Sequence, residues 1–275
     1  MPKAPKPWPA ATALPIADYR RALRPAGRQA QGVLAIEGWR LVERAVAAGV
    51  WPTTVLSTAA FVAQSDTRQA TLVASLSART DLRRGVVDDA TISDLVGGRT
   101  FGDIVAMVPI PVAFDLASWC RDTTASSGAV LVLVDVVDPG NIGALARTAL
   151  ATGIDALVVV GGADPFHPKA LRTSMGALFR LPVARVDSPF NTFAAAGVQT
   201  VGTVTAGGIA PWQSELHGRV AIVVGGEAFG LSDAVAGTLD TRVTIEMAPR
   251  VDSFSVSAAA AILLYERNRQ QRERG

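Results

Sequence analysis

Short apolar runs alternate with amphipathic stretches along the second half of the chain. Apolar runs of about four to eight residues predict strands, whereas apolar positions spaced three and four residues apart predict helices. Strands are predicted at residues 130–134, 156–160, 183–186, 200–205, 220–224 and 243–247, and helices at 142–152, 169–179, 190–196 and from Val256 onward. Because these strands are apolar on both faces, this half is predicted to be a doubly wound α/β domain with a parallel sheet between helices.

The first half shows a similar alternation with shorter elements. Residues 37–49 carry apolar side chains on one helical face and end at Gly49, which predicts an amphipathic helix. Further predicted elements are an extended run at 53–56, a helix at 59–78, a strand at 86–87, a helical turn at 92–96 and a strand at 104–108. This order predicts a second, smaller α/β domain.

Proline and polar residues mark the limits of these domains. Residues 1–15 contain five prolines, which disfavour helix, so we expect an extended tail there and a short basic helix at 17–23. Pro109, Pro111 and the Ser/Thr-rich stretch 122–128 interrupt the pattern again. We therefore predict a basic, proline-rich extension at 1–27, a first domain at 28–115, a linker at 116–128 and a second domain at 129–275.

The composition narrows the class of protein. The chain has 26 Lys and Arg against 24 Asp and Glu; both ends are basic, but a net charge of +2 does not by itself indicate a polyanionic partner. Cys120 is its single cysteine, which excludes an internal disulfide and a cysteine-based zinc cluster. His167 and His217 have no partners at metal-ligand spacing, so no metal site is predicted. The apolar runs are shorter than the ~20 residues of a membrane span and no secretory signal is evident, so we expect a cytoplasmic protein.

Three turns after apolar strands carry most of the candidate chemistry. The first reads DPGNIGALAR over residues 138–147, where Pro139 and Gly140 make the turn and Asn141 is a residue type favoured at a helix N-cap. The following helix places Gly143, Ala144, Arg147 and Ala151 on one face. Arg147 finds no acidic partner on that face. A guanidinium is a bidentate partner for phosphate, so the pattern fits either a ligand-binding arginine or a solvated one.

The second and third turns are VVGGEAFGLS at residues 223–232 and IEMAPRVDSFSVS at 245–257. In the second, glycines allow close approach of a ligand, and Glu227 follows a strand at the end where open α/β sheets bind ligands. Its spacing is not the G-x-G-x-x-G of dinucleotide-binding folds, which leaves a nucleotide-dependent oxidoreductase as a weak alternative. Taken alone, the third turn indicates the capped start of a buried C-terminal helix.

Taken in order, the three turns resemble the motifs of the SpoU (TrmH-like) branch of the SPOUT RNA methyltransferases. The family's N-P-G-N-I-G-x-x-x-R-T-A is matched by DPGNIGALARTA, its G-N-E-x-x-G-L-S by GGEAFGLS, and its I-P-M followed a few residues later by S-L-N-V-S-x-A by IEMAPRVDSFSVSAA. The segment SMGALFRLP also resembles the family's S-x-G-A-x-F-x-L-P. In the first half, IEGWRLVERAVAAG and residues 101–106 resemble the L30e-like RNA substrate-binding domain of many members. This layout is similar to that of thiostrepton-resistance rRNA methyltransferases.

The resemblance implies an α/β domain with a deep trefoil knot, a homodimer with the first-motif helix near its interface, and S-adenosylmethionine as cofactor. The implied cofactor-binding residues are Thr205, Gly225, Gly226, Glu227, Leu231, Ile245, Met247, Phe254 and Ser255. The implied reaction is methyl transfer to a ribose 2′-hydroxyl of structured RNA, with 23S rRNA favoured over tRNA. Arg147 is the implied catalytic residue, Asn141 and Glu227 hold the motif loops and the ribose, and Ser253 orients the nucleotide.

Two residues depart from the third motif of the family. Ser255 replaces an asparagine, and a hydroxyl cannot reproduce both the donor and the acceptor of an amide. Glu246 replaces the usual proline. These departures motivate a second interpretation, in which the chain is a non-catalytic RNA-binding or ribosome-assembly protein on the same scaffold.

Overall fold

The computed structural model describes residues 8–63, 67–98, 103–122 and 127–274. The chain divides into two compact units, Met1–Pro111 with Phe166–Pro168, and Val112–Pro165 with Lys169–Gly275. Some parts of the sequence predictions therefore lie outside the described residues: the start of the proline-rich extension, the middle of the predicted helix at 59–78, the first residues of the segment 101–106, and part of the predicted linker.

The first unit contains a four-stranded mixed sheet. Its elements are α1 (Ala13–Ala22), α2 (Pro25–Gln31), β1 (Val33–Glu37), α3 (Trp39–Ala47), β2 (Thr54–Thr58), α4 (Ala59–Val62), α5 (Thr67–Ala78), β3 (Arg83–Val87), α6 (Asp89–Leu95) and β4 (Ile104–Pro109). The sheet order is β1-β4-β2-β3, with β4 antiparallel to both neighbours and β2 parallel to β3. Strand β1 was not predicted, because Glu37 was assigned to the helix that follows.

The N-terminal segment differs from the extended tail that its prolines predict. Trp8 is 6% exposed and its indole N–H donates to Ser77 Oγ at 2.9 Å, so it is a core residue. Helix α1 begins at Ala13 and buries Tyr19. Pro15 is compatible with this helix because it lies in the first turn, where backbone N–H groups have no helical partner. From Trp8 onward the extension is thus part of the first unit.

The second unit contains a six-stranded parallel sheet of order β10-β8-β9-β5-β6-β7. Its elements are α7 (Leu116–Arg121), β5 (Gly128–Val134), α8 (Pro139–Ala151), β6 (Ala156–Val160), α9 (Pro168–Thr173), a 3-10 turn (Ala177–Phe179), β7 (Val183–Arg185), α10 (Phe190–Ala195), β8 (Gln199–Thr203), a second 3-10 turn (Pro211–Gln213), β9 (Arg219–Gly225), α11 (Asp233–Ala236), β10 (Thr241–Val243) and α12 (Val256–Arg274). The predicted α/β class with a parallel sheet is confirmed. The trefoil knot concerns the threading of the chain and stays a prediction.

Three predicted elements of this unit have different limits in the structure. The predicted helix at 169–179 breaks into α9 and a 3-10 turn, because Met175 and Gly176 adopt positive φ values of 52° and 88°. The predicted strand at 243–247 lies earlier, since β10 is an edge strand that pairs with β8 over Thr241–Val243. Helix α7, capped by Asp115, lies in the predicted linker and buries Leu116 and Cys120.

The small-residue face of α8 packs inside the chain. A Cβ added to Gly143 would lie 2.0 Å from Thr173 Oγ1, 2.3 Å from the Ala170 carbonyl oxygen and 2.8 Å from the Ser174 nitrogen. In the sequence, Gly143, Ala144, Arg147 and Ala151 share this face. In the structure Gly143 admits α9, whereas Ala144 and Arg147, farther along the helix, are partly or fully exposed.

We expect Gly143→Ala to destabilise the protein. A glycine-to-alanine change inside a helix normally gains about 1 kcal/mol, but overpacking costs about 1–3 kcal/mol, and here the obstructing atoms include backbone. Thermal unfolding should therefore show a lower Tm. Gly218→Ala is the matched control, because nothing lies within 4 Å of its added Cβ. A Tm raised by Gly143→Ala would contradict this packing.

Candidate functional site

The sheet order brings the three motif loops to one edge of the second unit. The loops follow β5, β9 and β10, and Thr205 lies just beyond β8; these four strands are neighbours in the order β10-β8-β9-β5. After β5 the chain continues to β6 and β7 on one side of that strand, whereas β8, β9 and β10 lie on its other side. The gap between the carboxyl ends of β9 and β5 is a topological switch point, where ligands of parallel sheets bind.

Asp138 starts the first-motif helix. Its carboxylate Oδ1 accepts a hydrogen bond from the Gly140 N–H at 2.7 Å, so Asp138 is the N-cap residue of α8, and Pro139 occupies the first helical position. The sequence pattern had assigned the cap to Asn141, three residues later. The same Oδ1 lies 2.7 Å from Lys169 Nζ, on α9. The first turn of α8 is therefore attached to a neighbouring helix.

Glu227 joins the second-motif loop to the first. Asn141 Nδ2 donates to Glu227 Oε1 at 2.6 Å, and the Asp138 N–H donates to the same oxygen at 3.3 Å. The Val137 N–H donates to Oε2 at 3.2 Å. Both oxygens of one carboxylate after β9 are thus engaged by the loop after β5, across the switch point. The structure brings the predicted residues Asn141 and Glu227 into direct contact.

These contacts keep Glu227 ionised. Partial burial disfavours the charged carboxylate, but the hydrogen bonds from Asn141 and from the backbone outweigh it, so the pKa of Glu227 lies below its ordinary value. An ionised carboxylate that accepts hydrogen bonds on both oxygens is suited to holding loops in place. It is poorly suited to accepting a proton from a substrate.

The second-motif loop packs too closely, against the first-motif loop and against itself, for side chains at Gly225 and Gly226. A Cβ on Gly226 would lie 2.3 Å from the Asp135 carbonyl oxygen, and a Cβ on Gly225 would lie 2.1 Å from the Gly230 carbonyl carbon. Asp135 itself adopts a positive φ of 52°, which is rare for a residue with a side chain. The glycines of the second motif are therefore required by loop packing.

The third-motif loop offers unused backbone groups and a capping serine. The backbone N–H groups of Ile245 and Met247 make no hydrogen bond within the described part of the chain. Ser255 Oγ accepts from the Ala258 N–H at 3.3 Å, which makes Ser255 the N-cap of α12. Phe254 is 42% exposed. Ser253 and Glu246 are also exposed.

Arg147 lies about one and two-thirds turns beyond Asn141 on α8, the helix whose start Glu227 holds. Its side chain is exposed, and among the described residues it has no hydrogen bond and no ion pair. The sequence likewise places no acidic side chain on the face of α8 that carries Arg147. Its guanidinium is free to meet a ligand.

Sequence reasoning missed three participants in this site. Asp135 and the salt bridge of Asp138 with Lys169 were not singled out, because both depend on how β5, α8 and α9 meet. The aspartate in the first motif, a favoured N-cap residue, was the available signal for the start of α8. Among the described residues, no group of three or more His, Cys, Asp or Glu side chains is placed to hold a metal ion.

Comparisons with known proteins identify the family of this chain. Residues 128–265 match the SpoU rRNA Methylase family. The chain belongs to this family. That range includes every predicted site residue, and the resemblance seen in the three motifs is confirmed. No helix among the described residues is long and apolar enough to cross a membrane.

Similar proteins cover different shares of the chain. An uncharacterised tRNA/rRNA methyltransferase of Synechocystis is 29% identical over 93% of this chain and 91% of its own length. The Bacillus subtilis 23S rRNA (guanosine(2553)-2′-O)-methyltransferase is 36% identical over 53% of this chain, a match that spans 60% of that relative. The structure of the SpoU methyltransferase AviRb from Streptomyces viridochromogenes, in complex with AdoMet, superposes with a TM-score of 0.79 and 27% identity, over 95% of this chain and 98% of that one.

We expect the stability contributed by Glu227 to depend on pH. A carboxylate whose folded pKa is lowered stabilises the fold above its unfolded pKa, near the ordinary value of 4.5, and this contribution is lost as pH falls through the folded pKa. Because the side chain is exposed, we expect about 1 kcal/mol. Glu227→Gln should therefore unfold at a lower Tm than wild type at pH 7, and the gap should close in acid.

The matched control is Glu215→Gln, an exposed carboxylate without hydrogen bonds among the described residues. Its Tm should follow that of the wild type at each pH. A gap between Glu227→Gln and wild type that stays constant from pH 7 to acid would show that the carboxylate is not held in its ionised form by the first-motif loop.

Proposed function

We propose that this chain transfers the methyl group of S-adenosylmethionine to a ribose 2′-hydroxyl of 23S rRNA. The observation that carries the proposal is the junction of Glu227 with Asn141 and the backbone of Val137 and Asp138, which joins two family motifs at a switch point. Relatives in Bacillus subtilis and Streptomyces viridochromogenes are named 23S rRNA 2′-O-methyltransferases, which favours rRNA over tRNA.

The loops after β8, β9 and β10 suit S-adenosylmethionine. The unused backbone N–H groups of Ile245 and Met247 can donate to ring nitrogens of the adenine, and the exposed ring of Phe254 offers an apolar surface. Thr205, Gly225, Gly226, Leu231 and Ser255 complete the proposed binding set around Glu227. When bound, the cofactor supplies an electrophilic methyl group.

Arg147 is proposed to act on the RNA. A guanidinium stays protonated, with a pKa above ~12, so it is not the base that removes the 2′-hydroxyl proton. It can grip a phosphate in a bidentate manner and polarise the hydroxyl, while a phosphate oxygen or a water accepts the proton. Asn141 and Glu227 hold the motif loops and the ribose, and the exposed Ser253 orients the nucleotide. The first domain is proposed to be an L30e-like RNA substrate-binding domain.

The second candidate is an RNA-binding or ribosome-assembly protein without catalysis. It was motivated by Ser255 in place of asparagine. The structure provides a local reason for a serine here, because Ser255 caps α12, and serine and asparagine are both favoured N-cap residues. This weakens the case for lost activity. A titration with S-adenosylmethionine separates the two candidates, since absence of binding would favour the non-catalytic one.

Transfer of radiolabelled methyl from S-adenosylmethionine to 23S rRNA, followed by mapping of ribose methylation, tests the proposal. We expect Arg147→Lys to lower kcat by about 10²-fold, because a lysine lacks the fixed bidentate geometry, while cofactor affinity stays within about twofold. Arg121→Lys is the matched control: this exposed arginine ends α7, near the amino edge of the sheet where Arg219 contacts that helix. Wild-type turnover in Arg147→Lys would contradict the proposed role, and methylation of tRNA alone would redirect the substrate.

We also propose that the chain forms a homodimer through the exposed apolar face of α12. Tyr265 and Trp212 are 70% and 63% exposed, and with Ile245 and Ile262 they line an open groove of about 550 Å³. Large apolar side chains grouped on a surface are typical of protein interfaces. A second copy of the chain is the proposed occupant. The family resemblance implies a homodimer with α8 near its interface, and α12 packs against α8.

The replacement Tyr265→Glu should shift the dimer toward monomer in sedimentation velocity, because the added charge would be buried at the interface. Leu14→Glu, which adds a charge at another exposed apolar position (61% exposed), should leave the sedimentation coefficient unchanged. A wild type that sediments as a monomer, or a dimer insensitive to Tyr265→Glu, would rule out this interface.

A further inference from the structure

Lys169 connects α9 to the first turn of α8. Its Nζ lies 2.7 Å from Asp138 Oδ1, the oxygen that also accepts from the Gly140 N–H. One carboxylate oxygen therefore caps the helix and binds the ammonium. Neither the reaction chemistry nor the proposed cofactor set accounts for this lysine.

Gly140 leaves the space through which Lys169 reaches Asp138. A Cβ added to Gly140 would lie 2.9 Å from Lys169 Cε and 3.4 Å from its Nζ. The backbone of Gly140 has no positive φ that would itself require glycine. The glycine of the first motif and the lysine of α9 thus fit each other, a packing contact that accompanies the salt bridge.

Asp138 is connected to Glu227 by a hydrogen bond and to Arg147 by helix α8. The Asp138 N–H donates to Glu227 Oε1, which also accepts from Asn141. Along α8, Arg147 lies about two and a half turns beyond Asp138. Because a helix moves as a rigid rod over this length, a change in the direction of its first turn displaces the guanidinium of Arg147.

We infer that Lys169 is a positioning residue for methyl transfer, acting through Asp138 to fix the start of α8 and so the place of Arg147; this rests on the proposed function. The salt bridge is solvent-accessible, with side chains 48% and 43% exposed, and exposed pairs add little to stability. Its importance is therefore geometric, and catalysis is sensitive to displacements of about 1 Å.

The test compares Lys169→Met, Lys169→Arg and wild type in single-turnover and steady-state methylation of 23S rRNA. We expect Lys169→Met to lower kcat about tenfold or more with the KM for RNA unchanged, and Lys169→Arg to restore most of the rate. Arg121→Met, which removes the same charge from an exposed side chain at the end of α7, near the amino edge of the sheet, should keep wild-type kinetics. Tm should stay close to that of the wild type in all variants.

Asp138→Asn gives a second, independent comparison. The amide oxygen can still cap α8, but it no longer attracts the ammonium as a charge. If Lys169 acts through Asp138, the double variant Asp138→Asn with Lys169→Met loses no more kcat than the more impaired single variant. Fully additive losses would overturn the inference.

A readout without catalysis separates this inference from the proposed function. In Lys169→Met, amide hydrogen exchange in residues 136–147 should be faster than in wild type, while the rest of the second unit is unchanged. The inference is overturned if Lys169→Met shows the same hydrogen exchange as wild type. It is also overturned if the wild type is active and Lys169→Met has the same kcat. A rise in KM alone, with a weaker salt dependence, also overturns it, because that pattern marks a direct phosphate ligand. If the wild type does not methylate rRNA, the proposed function fails and the exchange measurement still decides whether Lys169 holds the helix.

Discussion

The candidate site depends on one carboxylate that bridges two sheet neighbours. Glu227 emerges after β9 and accepts hydrogen bonds from Asn141, Val137 and Asp138, all of which follow β5. In a parallel sheet each loop is otherwise free to move away from its neighbour, because strand hydrogen bonds end at the carboxyl edge. An ionised acceptor resolves this, since charge-assisted hydrogen bonds are stronger than neutral ones. The lowered pKa of Glu227 is the electrostatic counterpart of the same constraint.

Close backbone packing fixes where the two bridged loops meet. Gly226 allows the second-motif loop to contact the Asp135 carbonyl, and Asp135 adopts a left-handed conformation to present it. A side chain at Gly226 would push apart the two loops that Glu227 holds together. The glycines of the motif therefore serve loop contact, and the proposed cofactor set combines them with other groups, such as the backbone of Ile245 and Met247.

The sequence named candidate site residues, but it did not predict several of the elements that surround them. Motif order identified Asn141, Arg147 and Glu227, and sheet order then explains why loops so far apart in the chain meet. Elements defined by tertiary contact were missed: β1 was not predicted, since its last residue, Glu37, was assigned to the following helix, and α7 fell in the predicted linker. Trp8 shows the same limit, because a proline-rich stretch has no periodicity that indicates burial, although the structure places its ring in the core.

The small-residue face of α8 shows how one sequence feature serves two constraints. Gly143 is obstructed by α9 and Gly140 by Lys169 of the same helix, so the first motif uses its glycines to bring α9 against α8 at two points. Arg147 lies one turn beyond Gly143 and remains exposed. Rigid packing at the start of the helix and a free guanidinium beyond it are complementary requirements. A long, mobile arginine is useful to a ligand when the backbone that carries it is fixed, because less conformational freedom is then lost on binding.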